Sequence, residues 1–367
     1  TWSDPGDTGS GVSYYEGSID GGSAFTVSSG YHPTWGDGTH TFNVRAVDRA
    51  GNRGSWSNTI TVKIDTTPPG TPSLSEGHCG SGWTTHNSPY FTWGNPGDSG
   101  SGVSYYQGSI NDGTPFTVSS PNHPTWSDGT YTFKIRAVDS AGNIGSWSNV
   151  ATVKIDTTAP TGSISINSGA TYATSTSVTL TLSAVDGSGS GVGYMCFSND
   201  GSSWSSWYSY GTSMSWSLMS GDGTKTVYVE FKDNAGLVSS AYSDTIVLDT
   251  TPPAGSITIN AGATYATSAS VTLTLSASDT NGVAQMRFSN DGSTWSSWYS
   301  YGTSASWTLA SGDGTKTVYV QFKDNPGLVS SSYSDTIVLD TTPPTGSISI
   351  NAGATYATSA SVTLTLS

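Results

Sequence analysis

Ser177-Val178-Thr179-Leu180-Thr181-Leu182 alternates strictly between apolar and hydroxyl side chains. A period of two places Val178, Leu180 and Leu182 on one face and the hydroxyls on the other, as a strand with one buried face requires. Thr226-Val227-Tyr228-Val229-Glu230-Phe231 repeats the pattern with Val227, Val229 and Phe231 inward, and Ser243-Asp244-Thr245-Ile246-Val247-Leu248 follows as another strand. No stretch sustains a 3.6-residue period, and the β-branched content opposes helix. Working outward, residues 161–249 are nearly duplicated by 254–340, with SNDGSSWSSWYSYGTS answered by SNDGSTWSSWYSYGTS. Residues 6–65 resemble 97–156 in the same way, as in GSGVSYYEGSIDGG against GSGVSYYQGSINDG.

The marker Asp65-Thr66-Thr67-Pro68-Pro69 returns as DTTAP at 156–160 and as DTTPP at 249–253 and 340–344, at spacings of 91, 93 and 91 residues. That period is too long for a solenoid coil or a propeller blade and fits one β-sandwich per repeat, at about 100 residues each. Asp-Gly pairs recur at matching points: Asp20-Gly21, Asp112-Gly113, Asp200-Gly201 and Asp291-Gly292 in one set, Asp37-Gly38, Asp128-Gly129, Asp222-Gly223 and Asp313-Gly314 in another. Such pairs supply the positive φ of tight hairpins. The expected fold is all-β: tandem immunoglobulin-like (fibronectin III-like) β-sandwiches in an elongated array. The boundaries are 1–65, 66–156, 157–249 and 250–340, with 341–367 as the first strands of a fifth repeat.

Composition agrees. Of 367 residues only 10% are charged, yet 13 Trp, 19 Tyr and 9 Phe are present, too many aromatics for a disordered Gly/Ser chain. Hydroxyls rather than ionic groups keep the surface polar, which suits an extracellular protein. A net charge of −14 disfavours nucleic acid as a partner. Direct insertion of this segment into a membrane is not expected.

Phe133-Lys134-Ile135-Arg136-Ala137-Val138-Asp139-Ser140-Ala141-Gly142-Asn143, followed by Gly145-Ser146-Trp147-Ser148, resembles the F strand, turn and G strand of a fibronectin type III or bacterial Ig-like module. The run Phe42 to Ser57 matches it, and Lys232 to Gly236 and Lys323 to Gly327 resemble the corresponding turn of bacterial Ig-like repeats. The resemblance implies tandem repeats of large secreted or surface-anchored prokaryotic proteins: adhesins, stalks, sheath or layer components. The same modules also serve as spacers in secreted hydrolases.

In an Ig-type tandem the linker enters the next domain beside its B–C and F–G loops and leaves the previous one near its E–F loop. Each junction then gathers carboxylates: Asp37, Asp65, Asp98 and Asp139 at the first; Asp128, Asp156, Asp186 and Asp233 at the second; Asp222, Asp249, Asp279 and Asp324 at the third. Calcium prefers such hard oxygen ligands and would stiffen the hinge. The competing reading, preferred on sequence alone, is that each Asp caps its own turn. The paired prolines make the junctions semi-rigid in either case.

Other candidates carry less. Trp204, Trp207, Tyr208 and Tyr210 recur as Trp295, Trp298, Tyr299 and Tyr301. Alternation puts Tyr208 and Tyr210 opposite Trp207, so one aromatic set shields an edge, stacks on surface glycans or packs against another subunit. Cys196, between inward Met195 and Phe197, is expected to face outward, either cross-linking to another chain or to Cys79, or staying a passive thiol. His78, Cys79 and His86 form a metal-flavoured cluster that reads as an ordinary exposed loop. No nucleophile elbow, P-loop or dinucleotide fingerprint is present, and Glu16, Glu76 and Glu230 fall at non-equivalent positions, which argues against an enzyme.

Thr1-Trp2 aligns with Thr92-Trp93, so the first repeat lacks its first strand and most of its second, while the tail carries the missing kind of segment. Either the chain is a window on a longer one, the preferred reading, or Thr341, Val362, Leu364 and Leu366 belong to a tail that completes the first repeat of a neighbouring subunit. The expected function is a structural or adhesive spacer of a large extracellular surface protein or filament, associating with itself. The alternatives are carbohydrate-binding accessory repeats of a secreted hydrolase, or virion decoration.

Overall fold

The computed structural model describes residues 1–77 and 79–367, and its chain divides into two compact units. One comprises Thr1–Thr161, Ala184–Met195 and Phe231–Ser240; the other comprises Gly162–Ser183, Cys196–Glu230 and Ala241–Ser367. Among the described residues the only helical elements are three 3-10 turns, at Asn167–Gly169, Asn260–Gly262 and Asn351–Gly353. No helix is long and apolar enough to cross a membrane.

In the first unit, the opening repeat forms one antiparallel sheet in the order Phe25–Val27, Val12–Ile19, Gly38–Asp48, Ile60–Ile64. The second repeat builds both layers. Its larger sheet runs Trp83–Thr84, Ala151–Ile155, Gly129–Asp139, Val103–Ile110, Phe116–Val118, and Leu74–Glu76 pairs with Phe91–Trp93 in the smaller one. Alternation explains the core: Phe133, Ile135 and Ala137 face inward, and Phe133 and Ile135 pack with Leu74, Phe91, Trp93, Val153 and Ile155. Asp139 shares that inward parity, so the strand delivers a carboxylate to the buried end of the sandwich.

In the second unit, the fourth repeat pairs Ala254–Ile259, Ser270–Ser278 and Ser304–Thr308 in a three-stranded sheet. The facing sheet runs Tyr265–Ala266, Tyr333–Leu339, Gly314–Asp324, Val283–Ser289, Tyr299–Ser300. Between them Ile257, Ile259, Leu273, Leu275, Phe288, Val318, Val320, Phe322 and Leu339 form one core. Val318, Val320 and Phe322 set the inward parity that again ends on a buried aspartate, Asp324. The third repeat has the same short three-stranded sheet, Thr161–Ile166, Ser177–Val185 and Ser213–Ser217, so the alternating hexapeptide Ser177–Leu182 lies in a strand as its pattern requires.

The tail pairs Ile348–Ile350 with Leu364–Leu366 as a lone two-stranded ladder. Val362, Leu364, Leu366 and Ile348 are exposed there. In the opening repeat Ile60 and Val62 are exposed on the face that the second repeat covers, beside a concavity of about 490 Å³ lined by Trp2, Tyr31, Trp35, Phe42 and Ile64 among others.

Candidate functional site

The junction residues resolve into two separate devices. Asp37 accepts hydrogen bonds from the Thr66 amide (2.9 Å) and hydroxyl (2.8 Å) and from the Thr67 hydroxyl (2.5 Å). Asp222 holds Thr250 and Thr251 in the same way, Asp313 holds Thr341 and Thr342, and Asp128 accepts from the Thr157 amide and hydroxyl. The Asp-Thr-Thr marker is thus a linker clasped onto the preceding hairpin. The threonine hydrogen bonds hold the Asp37, Asp222 and Asp313 carboxyls below their ordinary range. Asp37, Asp128 and Asp222, which the sequence reading grouped with the other junction carboxylates, are thus engaged by threonine donors, while Asp128 remains near enough to Asp186 to raise its carboxyl.

The remaining aspartates do converge. Asp65, Asp98 and Asp139 form one group, Asp156, Asp186 and Asp233 a second, and Asp249, Asp279 and Asp324 a third. In each, one oxygen from every carboxylate lies within 4.8 Å of the others. Calcium–oxygen distances of about 2.3–2.6 Å put two ligand oxygens on opposite sides of the ion at roughly this separation. Glycines allow the close approach: a Cβ on Gly189 would stand 2.7 Å from Asp156 Oδ1 and 2.8 Å from Asp186 Oδ2. Backbone donors fix the linker aspartate, as Ser101 N–H bonds Asp65 Oδ2 (2.6 Å) and Ser190 N–H bonds Asp156 Oδ2 (2.8 Å). At the third group the Asn281 side-chain amide does this for Asp249 Oδ2 (2.8 Å).

Donors do not reach every oxygen. Asp186 Oδ1, Asp233 Oδ2 and Asp324 Oδ2 are buried without a hydrogen-bond partner, on side chains that include the nearly inaccessible Asp233 and Asp324. Burial raises the Asp233 and Asp324 carboxyls, and the neighbouring carboxylates push the same way: Asp156 on Asp233, Asp249 and Asp279 on Asp324. Asp186 is raised for the same reasons. Buried charges ordinarily appear paired or bound to metal, so these oxygens fit a cation of the hard, oxygen-seeking class.

The aromatic segments are edge furniture more than open platform. Trp298 lies under Arg287 (4.6 Å) and Lys323 (4.4 Å), and Trp295 also contacts Arg287 (4.9 Å). The Tyr301 hydroxyl donates to the Ala277 carbonyl, and its ring packs edge-on against Phe322. Tyr208 and Tyr299 touch Phe197 and Phe288 at the sheet edge while staying exposed, as does Trp207, and Trp204 and Tyr210 are half-buried.

Cys196 is buried, not outward as alternation suggested. The physical reason is that this sheet has cover on both faces. In the fourth repeat the equivalent Arg287 lies beneath the Trp295 and Trp298 rings, and the WSSW segment recurs after Cys196. Cys79 is buried too, and that burial, with Glu76 close by, pushes its thiol up to about 11. Such a thiol exchanges poorly with disulfides. His86 is exposed, and His78 lies outside the described residues.

Tandem immunoglobulin-like and fibronectin III-like β-sandwiches, with aspartates gathered beside their linkers, define the fold class of this protein. Residues 253–320, within the fourth repeat, match the family model of the bacterial Ig domain, and the third repeat nearly duplicates that stretch in sequence. No curated protein matches the chain. Among solved structures it is similar to four tandem repeats from the extending region of a large adhesion protein, at 18% identity, covering 90% of this chain and 93% of that one, with a TM-score of 0.29. It is also similar to part of a 1.5-MDa bacterial ice-binding adhesin, at 16% identity, covering 75% and 99%, with a TM-score of 0.36. Fibronectin(III)-like modules of Clostridium thermocellum CbhA share 14% identity over 48% of this chain and 92% of theirs, with a TM-score of 0.32.

Proposed function

We propose that the chain is a non-catalytic spacer segment of a large extracellular surface protein, with junctions stiffened by calcium. The observation that carries this reading is the set of buried carboxylate oxygens without donors where one repeat hands over to the next. A spacer works by holding length, and a cation shared between the linker aspartate and two loops of the following repeat would oppose bending there. The hydroxyl-rich, weakly charged surface suits the extracellular space, where calcium is plentiful.

Calorimetric titration with calcium and thermal melting with and without EDTA test the reading. Saturable binding and a melting temperature that falls on chelation are expected. An unchanged melting temperature together with unchanged solution dimensions in EDTA would remove calcium from the account.

Self-association is the accompanying expectation. It draws on the exposure of the apolar residues Ile60 and Val62 on one sheet and of Ile348, Leu364 and Leu366 on the tail ladder. Attachment to surface glycans through Trp207, Tyr208 and Tyr299 is the second reading, favoured only by the exposure of those three rings.

A further inference from the structure

The three aspartate clusters are not equivalent, and the difference lies in one side chain outside the carboxylates. At the first junction Asn143 Nδ2 donates to Asp139 Oδ2 (2.9 Å) and also to the Asp65 backbone carbonyl (2.9 Å). Asp139 Oδ1 accepts from the Gly142 and Asn143 amides (2.7 and 2.8 Å). Both oxygens of the deepest carboxylate are therefore satisfied. The single side-chain amide also ties the second repeat to the linker that precedes it.

At the other two junctions leucine stands at this place, Leu237 after Asp233 and Leu328 after Asp324. Their backbone amides still donate to Oδ1, at 2.9 and 2.7 Å, but leucine offers no second donor. Asp233 Oδ2 and Asp324 Oδ2 are the oxygens left buried and unpartnered, on side chains only 1% and 2% exposed. The first junction keeps one such oxygen, Asp98 Oδ1, on a side chain that is only half-buried.

We propose that Asn143 stands in for a cation, so that the first junction is built to hold without metal while the second and third are the divalent-cation sites. Asn143 is a positioning residue here. It supplies the positive end of a dipole to the deepest carboxylate, where the other junctions need an ion, while its tie to the Asp65 carbonyl has a counterpart in the Asn281 amide on Asp249. The first repeat carries the same device in Asn52, whose Nδ2 donates to Asp48 Oδ2 at 2.8 Å. Metal dependence thus follows the kind of repeat that lies downstream of each junction. This inference rests on the calcium reading above.

Calcium titration of the whole chain, followed by calorimetry and by terbium luminescence, tests it. Two ions are expected to bind at least about tenfold more tightly than any third, the scale of a lost or gained outer contact at a metal site. Asn143→Leu should add a site of like affinity, and Leu328→Asn should remove one while raising the melting temperature in EDTA. Three equal sites in the wild-type chain would overturn the inference and leave the calcium reading standing. No binding at all would overturn both. Should Asn143→Leu fail to fold, the Leu328→Asn arm still decides: an unchanged number of tight sites in that variant would sink the proposal.

Discussion

The second and fourth repeats solve one packing problem with the same parts in opposite places. In the second, Gln107 on Val103–Ile110 faces Arg136 on Gly129–Asp139, and Arg136 Nε donates to Gln107 Oε1 at 2.9 Å. In the fourth, arginine sits on the other strand: Arg287 faces Gln321 and donates from Nε at 2.9 Å. The tryptophan moves with the arginine. Arg136 lies 4.4 Å from Trp147, which follows its own strand, and Arg287 lies 4.6 Å from Trp298, which follows its own. Ser332 occupies the Trp147 position in the fourth repeat. What the fold keeps is a covered outer sheet face with a cross-strand hydrogen bond; which strand contributes which residue is free to vary.

The cores beneath that face should be interchangeable in cost. Phe133 and Phe322 are both essentially inaccessible, one among Phe91 and Trp126, the other among Tyr301 and Tyr333. Phe133→Ala and Phe322→Ala are each expected to destabilise their own repeat by about 3–5 kcal/mol. Hydrogen exchange resolved by repeat measures this. Penalties differing by more than about 2 kcal/mol, outside the usual scatter for such sites, would break the equivalence.

A smaller effect tests the exchange of parts directly. Making Gln107→Arg and Arg136→Gln together preserves the cross-strand pair but replaces the arginine over Trp147 by a glutamine, leaving Lys134 at 5.0 Å as the cation on that ring. The double variant should lose about 0.5–1 kcal/mol, the worth of an exposed cation–π contact. Equal stability in denaturant melts would show that the tryptophan does not read which strand carries the arginine.

Much of this was legible in the residues. The period of two in Ser177–Leu182 and the Asp-Gly pairs point to strands and turns that the structure contains. The parity that buries Phe133 and Phe322 also predicts that Asp139 and Asp324 point inward, a signal present in the sequence but hidden by the habit of placing aspartate at the surface. The partition of each junction into a clasp and a trio was not legible. Asp37 and Asp65 are equally polar and equally near a linker, and only three-dimensional donors separate them: threonines take Asp37, and Ser101 and Thr67 amides hold Asp65. Cys196 misled for a related reason. Alternation assigns a side but cannot say whether that side is wet.

The finest contrast is in proton binding at the first and third junctions of the calcium-free chain. Asp139 is held below the ordinary carboxyl range, so its contribution to stability is present above the unfolded pKa and is lost as pH falls through the folded value. Asp324 is raised above that range, so its contribution has the opposite sign: full below the unfolded pKa, and lost as pH rises through the folded value. Carboxyl carbon resonances followed by NMR in EDTA should therefore show Asp324 titrating at higher pH than Asp139. Calcium should erase the high-pH titration of Asp324, because an ion that takes Oδ2 competes with the proton for the same lone pairs, and should leave Asp139 nearly unmoved. The Asn143→Leu variant should carry Asp139 toward the behaviour of Asp324. If Asp139 and Asp324 titrate together in the wild-type chain, then an amide and a bare carbon side chain make no difference to a buried carboxylate here, and the distinction between the two kinds of junction fails.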